Sequence, residues 1–275
     1  METTGIIAIV AIMGLLILFS VLGNICIISS IMRKKPEDRT FMMRTKISMA
    51  CNDLALSILY LVFVVQYSIQ GQETAMTVGL FEGFLHFFNC SSIYNACLMC
   101  LLHYFAILYP HSFTDVTRKR QYCCIANAWS FGLILLIYYP LMYMNSVPMY
   151  CWMLLAAYVY IVPFVFTFSF TIVVIYVFYN SAERYDESCW SDRQAQRWSI
   201  LETSLVVLGH VATFSPYIVM QFLSWSMDTE DWINFALVTT LLVYLKTPVN
   251  TVIYAAFNPT LRDFIQNPCS CMIMI

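Results

Sequence analysis

The sequence predicts an all-α membrane protein: a seven-transmembrane helix bundle followed by a short amphipathic C-terminal helix. Three observations carry that expectation. The first is composition. Of 275 residues, 60% are hydrophobic and 11% charged, whereas a soluble domain carries about 25% charged residues. The second is the length of the apolar runs, since roughly 18 or more consecutive apolar residues suffice to cross a bilayer as a helix. Seven such runs stand out: Ile6 to Met32, Ile47 to Tyr67, Val78 to Tyr109, Cys123 to Tyr143, Met153 to Tyr179, Ile200 to Trp225 and Trp232 to Phe257. The third is the segregation of basic residues. Arg33, Lys34, Lys35, Arg39, Arg44 and Lys46 lie around the first connection. Arg118, Lys119 and Arg120 lie in the third, Arg184, Arg193 and Arg197 in the fifth, and Arg262 after the last run. The second, fourth and sixth connections hold no Lys or Arg. Basic loops stay in the cytoplasm, so a multi-pass plasma-membrane protein is expected, with its N-terminus outside and its C-terminus inside.

Residues 1–275 read as one domain, without repeats or low-complexity tracts. The first run exceeds the apolar length of a signal peptide and is flanked by Glu2 rather than a basic residue. The loops are too short for a soluble catalytic domain. Most of the eleven Cys fall inside helices, where thiols pack as small apolar groups. Four scattered His, namely His86, His103, His111 and His210, give neither a metal-ligand set nor a nucleophile constellation. Neither enzymatic activity, nor a cofactor or metal, nor a nucleic-acid partner is expected.

Each run carries polar residues or prolines that an apolar helix does not need. The first holds Gly23-Asn24. The second reads Ile47-Ser48-Met49-Ala50-Cys51-Asn52-Asp53-Leu54-Ala55, and a carboxylate at that depth is a functional-site hypothesis by default. The third holds Glu82, His86, Asn89, Ser92 and Asn95 and ends Leu102-His103-Tyr104-Phe105-Ala106-Ile107-Leu108-Tyr109-Pro110. The fourth has Trp129 and Pro140, the fifth Pro163, and the sixth Thr213-Phe214-Ser215-Pro216-Tyr217. The seventh has Lys246 and then Asn250-Thr251-Val252-Ile253-Tyr254; Asn250 and Tyr254 share a helical face. Next come Asn258-Pro259, a good helix start, and the apolar stripe Phe257, Leu261, Phe264 and Ile265. An amphipathic helix over 258–268, lying on the inner leaflet, is expected. Cys269 and Cys271 follow it as palmitoylation candidates.

Asn24, Asp53, Trp129, Pro163, Pro216, Asn250 and Tyr254, in order and one set per helix, resemble the landmarks of rhodopsin-like G-protein-coupled receptors in a divergent form. The departures are Leu102 and His103 for the family's Asp-Arg, Phe214 for its Trp, Thr251 for its Pro and Val78 for its outer Cys. The resemblance implies a receptor that passes an extracellular ligand signal to a heterotrimeric G protein, with the bilayer as its other partner. It implies a ligand pocket formed by Glu82, Leu85, His86, Asn89, Phe214, Tyr217, Gln221, Thr240 and Tyr244. It implies a G-protein interface at His103 and Tyr104, and a packing switch of Ile93, Pro163, His210 and Pro216. It also implies a polar activation cluster of Asn24, Asp53, Ser92, Lys246, Asn250 and Tyr254; in many relatives the positions of Asn24, Asp53, Ser92 and Asn250 bind sodium. Lys246, four before Asn250, suggests an ammonium that pairs with Asp53 and replaces that ion.

Leu85 stands where amine receptors carry Asp, which disfavours a monoamine. Acids at Glu73, Asp228, Glu230 and Asp231 make the outer rim negative; this steers a cationic ligand inward or merely aids solubility and topology. Three other readings stay open: a receptor that binds ligand without coupling to a G protein, a retinal-binding protein using Lys246, and a small-molecule transporter. The opsin lysine position is Tyr244 here, which argues against retinal.

Overall fold

A computed structural model describes residues 3–70, 75–109, 112–113, 115–144, 151, 154–155, 157–180, 190–223 and 229–257. All regular structure among them is helical. The elements are α1 (Thr3–Met32), α2 (Phe41–Gln70), α3 (Ala75–Leu108), α4 (Arg118–Ser130), α5 (Leu133–Tyr143), α6 (Val162–Asn180), α7 (Trp190–Leu223) and α8 (Thr229–Phe257). A π-helical turn, Ala157–Ile161, leads into α6. Residues 258–268, Cys269 and Cys271 lie outside the described residues.

The chain is a helical membrane protein. Five described segments are long and apolar enough to cross a bilayer: Ala11–Met32, Phe41–Val62, Met76–Leu108, Arg118–Tyr143 and Val159–Asn180; Leu241–Phe257 in α8 is a shorter apolar stretch. Large apolar side chains that a soluble protein would bury are exposed along these helices, among them Leu15, Leu18, Phe19 and Leu22 on α1 and Val162, Val165 and Phe166 on α6. Such a belt is stable against lipid and not against water.

The helix α3 occupies the centre, packing against α2, α4, α5, α6 and α7, while α8 packs on α7 and α1 and completes the ring. Close approach is made possible by small residues, as is general between helices in lipid. A Cβ on Gly132 would sit 2.7 Å from the Phe87 carbonyl oxygen of α3, and one on Gly79 would sit 2.9 Å from the Pro140 Cα. The expected fourth run breaks into α4 and α5 at this contact, where Gly132 N–H and Leu135 N–H make tighter three-residue bonds to Trp129 and Gly132 carbonyls. The π-helical turn before Pro163 has a related cause. Proline lacks an N–H and its ring crowds the carbonyl four residues back, and one wider turn relieves both problems.

Arg44 and Lys46, expected around the first connection, lie instead in the first turns of α2 and are largely buried. Arg44 ties the connections together. Its guanidinium donates to Gln121 Oε1 at 2.6 Å and to the Pro36 carbonyl at 2.8 Å, and Gln121 Nε2 donates to the Val116 carbonyl at 2.8 Å. Arg39 donates to the Met32 and Lys34 carbonyls, satisfying groups that the end of α1 leaves free. The end of the bundle with these loops is called the basic end below.

Candidate functional site: a buried ion-paired layer and its two ends

In α8, Lys246 and Asn250 are one turn apart and reach the same carboxylate on α2. Lys246 Nζ stands 3.4 Å from Asp53 Oδ1, and Asn250 Nδ2 donates to Asp53 Oδ2 at 3.0 Å. Lys246 Nζ also donates to Asn89 Oδ1 of α3 at 3.3 Å. All four side chains are buried. An isolated charge in this environment would cost several kcal/mol, and the pairing offsets much of that. The sodium ion that the resemblance implies does not fit here. The ammonium already stands against the carboxylate that such an ion would need, and Asn250 takes the other oxygen.

The layer extends sideways. Ser20 of α1 and Ser57 of α2 bond at 2.9 Å, and Ser57 donates to the Asp53 carbonyl at 2.8 Å. Asn24 turns back to its own helix, donating to the Ser20 carbonyl at 2.9 Å, rather than to Asp53. Ser92 is also diverted: its hydroxyl lies 3.0 Å from His210 Nε2 of α7. His210 Nδ1 is 2.9 Å from the Val206 carbonyl, which can only accept, so in the neutral ring Nδ1 donates and Nε2 accepts from Ser92. His210 thus joins the polar layer. It also lines a small apolar cavity with Ile93, while Pro163 meets α3 through its carbonyl, which accepts from Cys97 of α3 and from Thr167 of its own helix. Pro216 lies inside α7.

At the basic end the residues of the expected interface lie largely within the bundle. His103 is 1% exposed, so it is not on the surface in this conformation. Thr203 of α7 donates its hydroxyl to the Ser199 carbonyl, which leaves its oxygen to accept from His103 Nε2–H at 2.8 Å. Tyr104 is half-buried against Phe105 and Phe170. Beside His103 a second buried ion pair joins α2 to α7: Lys46 Nζ lies 2.6 Å from Glu202 Oε1. Tyr254 does not reach Asp53. Its hydroxyl contacts Met49 Sδ at 3.5 Å, and Lys46 sits 5.9 Å from its ring centre.

At the opposite end the expected pocket residues divide. Leu85 and Tyr244 pack with Ile17, Leu56, Tyr60 and Phe81 between α1, α2, α3 and α8. Phe214 and Tyr217 pack with Tyr139 and Tyr160 between α3, α5, the π-helical turn and α7. His86 stands in the second group, stacked on Tyr139 with ring centres 4.2 Å apart. Tyr160 donates to the His86 carbonyl and accepts from Nδ1–H at 2.6 Å, so Nε2 of the neutral ring accepts from Tyr217 at 2.9 Å. Glu82 Oε2 is 3.4 Å from the same Nε2. Asn89 belongs to the ion-paired layer rather than to this group. The side chains of Gln221 and Thr240 lie outside the described residues.

No protein-family model matches the chain, and no curated protein matches it. The site rests on its own geometry.

Sequence reasoning missed Lys46, Glu202, Tyr60, Tyr139 and Tyr160. For the first two a signal was present, because an ammonium and a carboxylate sit within helical stretches near one end of two different helices. The tyrosines gave none, since 18 are spread along the chain. Trp129 also proves to be more than a packing residue: its indole N–H donates to Ser48 Oγ at 2.8 Å, and Ser48 donates to Asn95 Oδ1 at 3.0 Å, so one chain of bonds joins α4, α2 and α3.

Proposed function

We propose that this protein is a divergent rhodopsin-like G-protein-coupled receptor with seven spans, its basic end in the cytoplasm of a plasma-membrane topology. The observation that carries the reading is the buried layer in which Asp53, Asn89, Lys246 and Asn250 join α2, α3 and α8, with Ser92 and His210 extending it to α7. Such a layer is costly in lipid and is a functional hypothesis wherever it occurs. Here it lies on the helices that carry the receptor-like sequence landmarks. Ligand bound opposite the basic end shifts a two-state equilibrium of the bundle. The opened state requires α7 to release His103 and Lys46, and that exposes the cleft a G protein enters.

A second reading, a receptor that binds ligand without coupling, is favoured by one observation. His103 is spent on Thr203 inside the bundle, and Leu102 offers no acid beside it. The retinal reading is disfavoured because the Lys246 ammonium is committed to Asp53 and Asn89, and a transporter reading has no observation in its favour.

G-protein activation in cells expressing the native chain, beside His103→Arg, tests the choice. Signal from the native chain supports coupling through His103. Signal from the variant alone supports the binding-only reading. Surface-expressed protein silent in both forms, and silent across a ligand screen, removes the coupling reading.

A further inference from the structure

The span Arg118–Tyr143, made of α4 and α5, packs against α3 and α2 and turns its other side outward. On that side Cys123, Asn127, Ser130, Ile134, Ile137 and Leu141 are all exposed. They follow at steps of four and three, the heptad seam along which two helices meet. A straight α-helix drifts about 20° per heptad from that repeat. The tighter turn at Gly132 offsets the drift, because a residue in three-residue geometry advances about 20° more than an α-helical one. One continuous seam therefore runs down both helices.

The amide in this seam is out of place against lipid. Asn127 lies seven residues beyond Arg120, about 10 Å along the axis, and the hydrocarbon of one leaflet is roughly 15 Å deep. Among the described residues of the five long spans, it is the one exposed residue bearing an amide or a charge away from a helix end. Its Oδ1 has a 3.4 Å contact from the Ser130 hydroxyl, and its two N–H groups make no hydrogen bond among the described residues. Donors left in that state are costly in hydrocarbon. The residues around it on this face, Cys123, Ala126 and Ser130, are small and exposed, so a second backbone can come close enough to answer the amide.

We propose that this seam is the interface of a homodimer, in which Asn127 pairs with the same residue of a second copy of the chain. Orientation and chemistry both select a second copy as the occupant. Two copies carry the same basic end and so insert the same way. A two-fold axis along the bilayer normal then sets each seam residue opposite itself at equal depth. An amide is its own complement there, since Nδ2–H of each copy donates to Oδ1 of the other. A single Asn in a heptad seam also fixes register and the number of helices that associate. Towards the other end Ile134, Ile137 and Leu141 meet their own counterparts and supply the apolar packing. The seam leaves α7 and α8 outside the contact, and the inference does not rest on the receptor reading.

The test is resonance energy transfer between donor- and acceptor-labelled copies of the full chain in liposomes, across a range of protein-to-lipid ratios. The native chain should associate reversibly as a dimer. Asn127→Leu should raise the dissociation constant at least about fivefold, because two interhelical amide bonds are lost. Leu18→Ala, on the exposed face of α1, should leave it unchanged. The denaturation midpoint of Asn127→Leu, diluted until both proteins are monomeric, should match the native one, which separates lost association from lost fold. A native thiol gives a second readout. Cys123 stands one turn before Asn127 on the seam, whereas Cys124 is turned about 100° aside. In a chain carrying Cys269→Ser and Cys271→Ser, oxidation by copper phenanthroline in air should link two copies through a disulfide at Cys123. Cys123→Ala should abolish that link, and Cys124→Ala should not. A chain monomeric at every ratio, a dimer indifferent to Asn127→Leu, or a link that survives Cys123→Ala would overturn the proposal.

Discussion

Replacing Lys246 with Met removes the ammonium from the buried layer and keeps a chain of similar length. The pair it breaks has an Nζ–Oδ1 separation of 3.4 Å. At an effective dielectric of about 20 its Coulomb energy is about 5 kcal/mol. Burying the ammonium costs several kcal/mol, so the pair is close to neutral against an apolar pair of the same shape, whereas removing one partner costs about 3–5 kcal/mol. Three stabilities are thereby ordered. Lys246→Met and Asp53→Asn should each lower the denaturation midpoint of the purified protein strongly. The double variant should recover most of the loss, because neither charge is left alone. A second readout follows from the same geometry. With the ammonium gone, Asp53 regains an unmatched charge and can recruit a small cation. Sodium should then stabilise Lys246→Met, by about 1.4 kcal/mol at ten times its Kd, while the native chain shows no difference between sodium and choline chloride. Single variants as stable as the double would refute the pairing. Equal sodium stabilisation of the native chain would refute the view that the ammonium replaces the ion.

Other outcomes follow from neighbouring contacts. Glu202→Gln and Lys46→Met should each cost about 3–5 kcal/mol by stranding a buried charge and, on the proposed receptor reading, should raise ligand-independent nucleotide exchange on an added G protein; the exchange Lys46→Glu with Glu202→Lys should restore most of the stability, and failure to do so would deny the pair its role. Trp129→Phe keeps an aromatic ring beside Phe87 and Phe88 and loses the bond to Ser48 together with part of the indole's packing, so a loss of at least about 1 kcal/mol is expected in thermal denaturation. Gly132→Ala places a Cβ 2.7 Å from a backbone oxygen that cannot yield, whereas Gly14 has nothing within 4 Å. The first should therefore cost about 1–3 kcal/mol, while Gly14→Ala should be neutral or stabilising in the same assay.

The helices were legible because lipid enforces them. A chain without water around its backbone must close its hydrogen bonds locally, so apolar run length fixes most of the segments. The Asp53–Lys246–Asn250 contact was within reach too, because residues four apart on α8 share a face and the family resemblance sets that face beside Asp53. The partners of Asn24, Ser92 and His103 were not. Each has a choice between its own helix and several neighbours, and that choice depends on rotation angles that spacing does not encode. Asn24 chose the Ser20 carbonyl one turn back, Ser92 chose His210, and His103 turned inward to Thr203. The break at Gly132 was hidden for a related reason, since it is set by the Phe87 carbonyl across the contact and not by residues beside it in sequence.

The two buried ion pairs share a helix, and their polarity matters. Lys46 and Asp53 are seven residues apart on α2, two turns on one face, so they are about 10 Å apart along the axis. α2 presents a positive charge near the basic end and a negative charge deeper in the bundle. α7 answers the first with Glu202, and α8 answers the second with Lys246. Had both pairs run the same way, α7 and α8 could exchange partners after a slide of two turns. With opposite polarity, that slide would set Lys246 against Lys46, or Glu202 against Asp53, a like-charge contact in a low-dielectric interior. The pairs therefore specify register as well as adhesion, the best-attested use of buried charge. They also divide the labour between the helices. α8 is fixed to α2 at the depth of Asp53, while α7 is held nearer the basic end by Glu202 and by the His103–Thr203 bond. Moving α7 outward breaks the Lys46–Glu202 pair and leaves the Asp53–Lys246 pair intact. On the proposed receptor reading, the deeper pair is the fixed point about which the bundle would open.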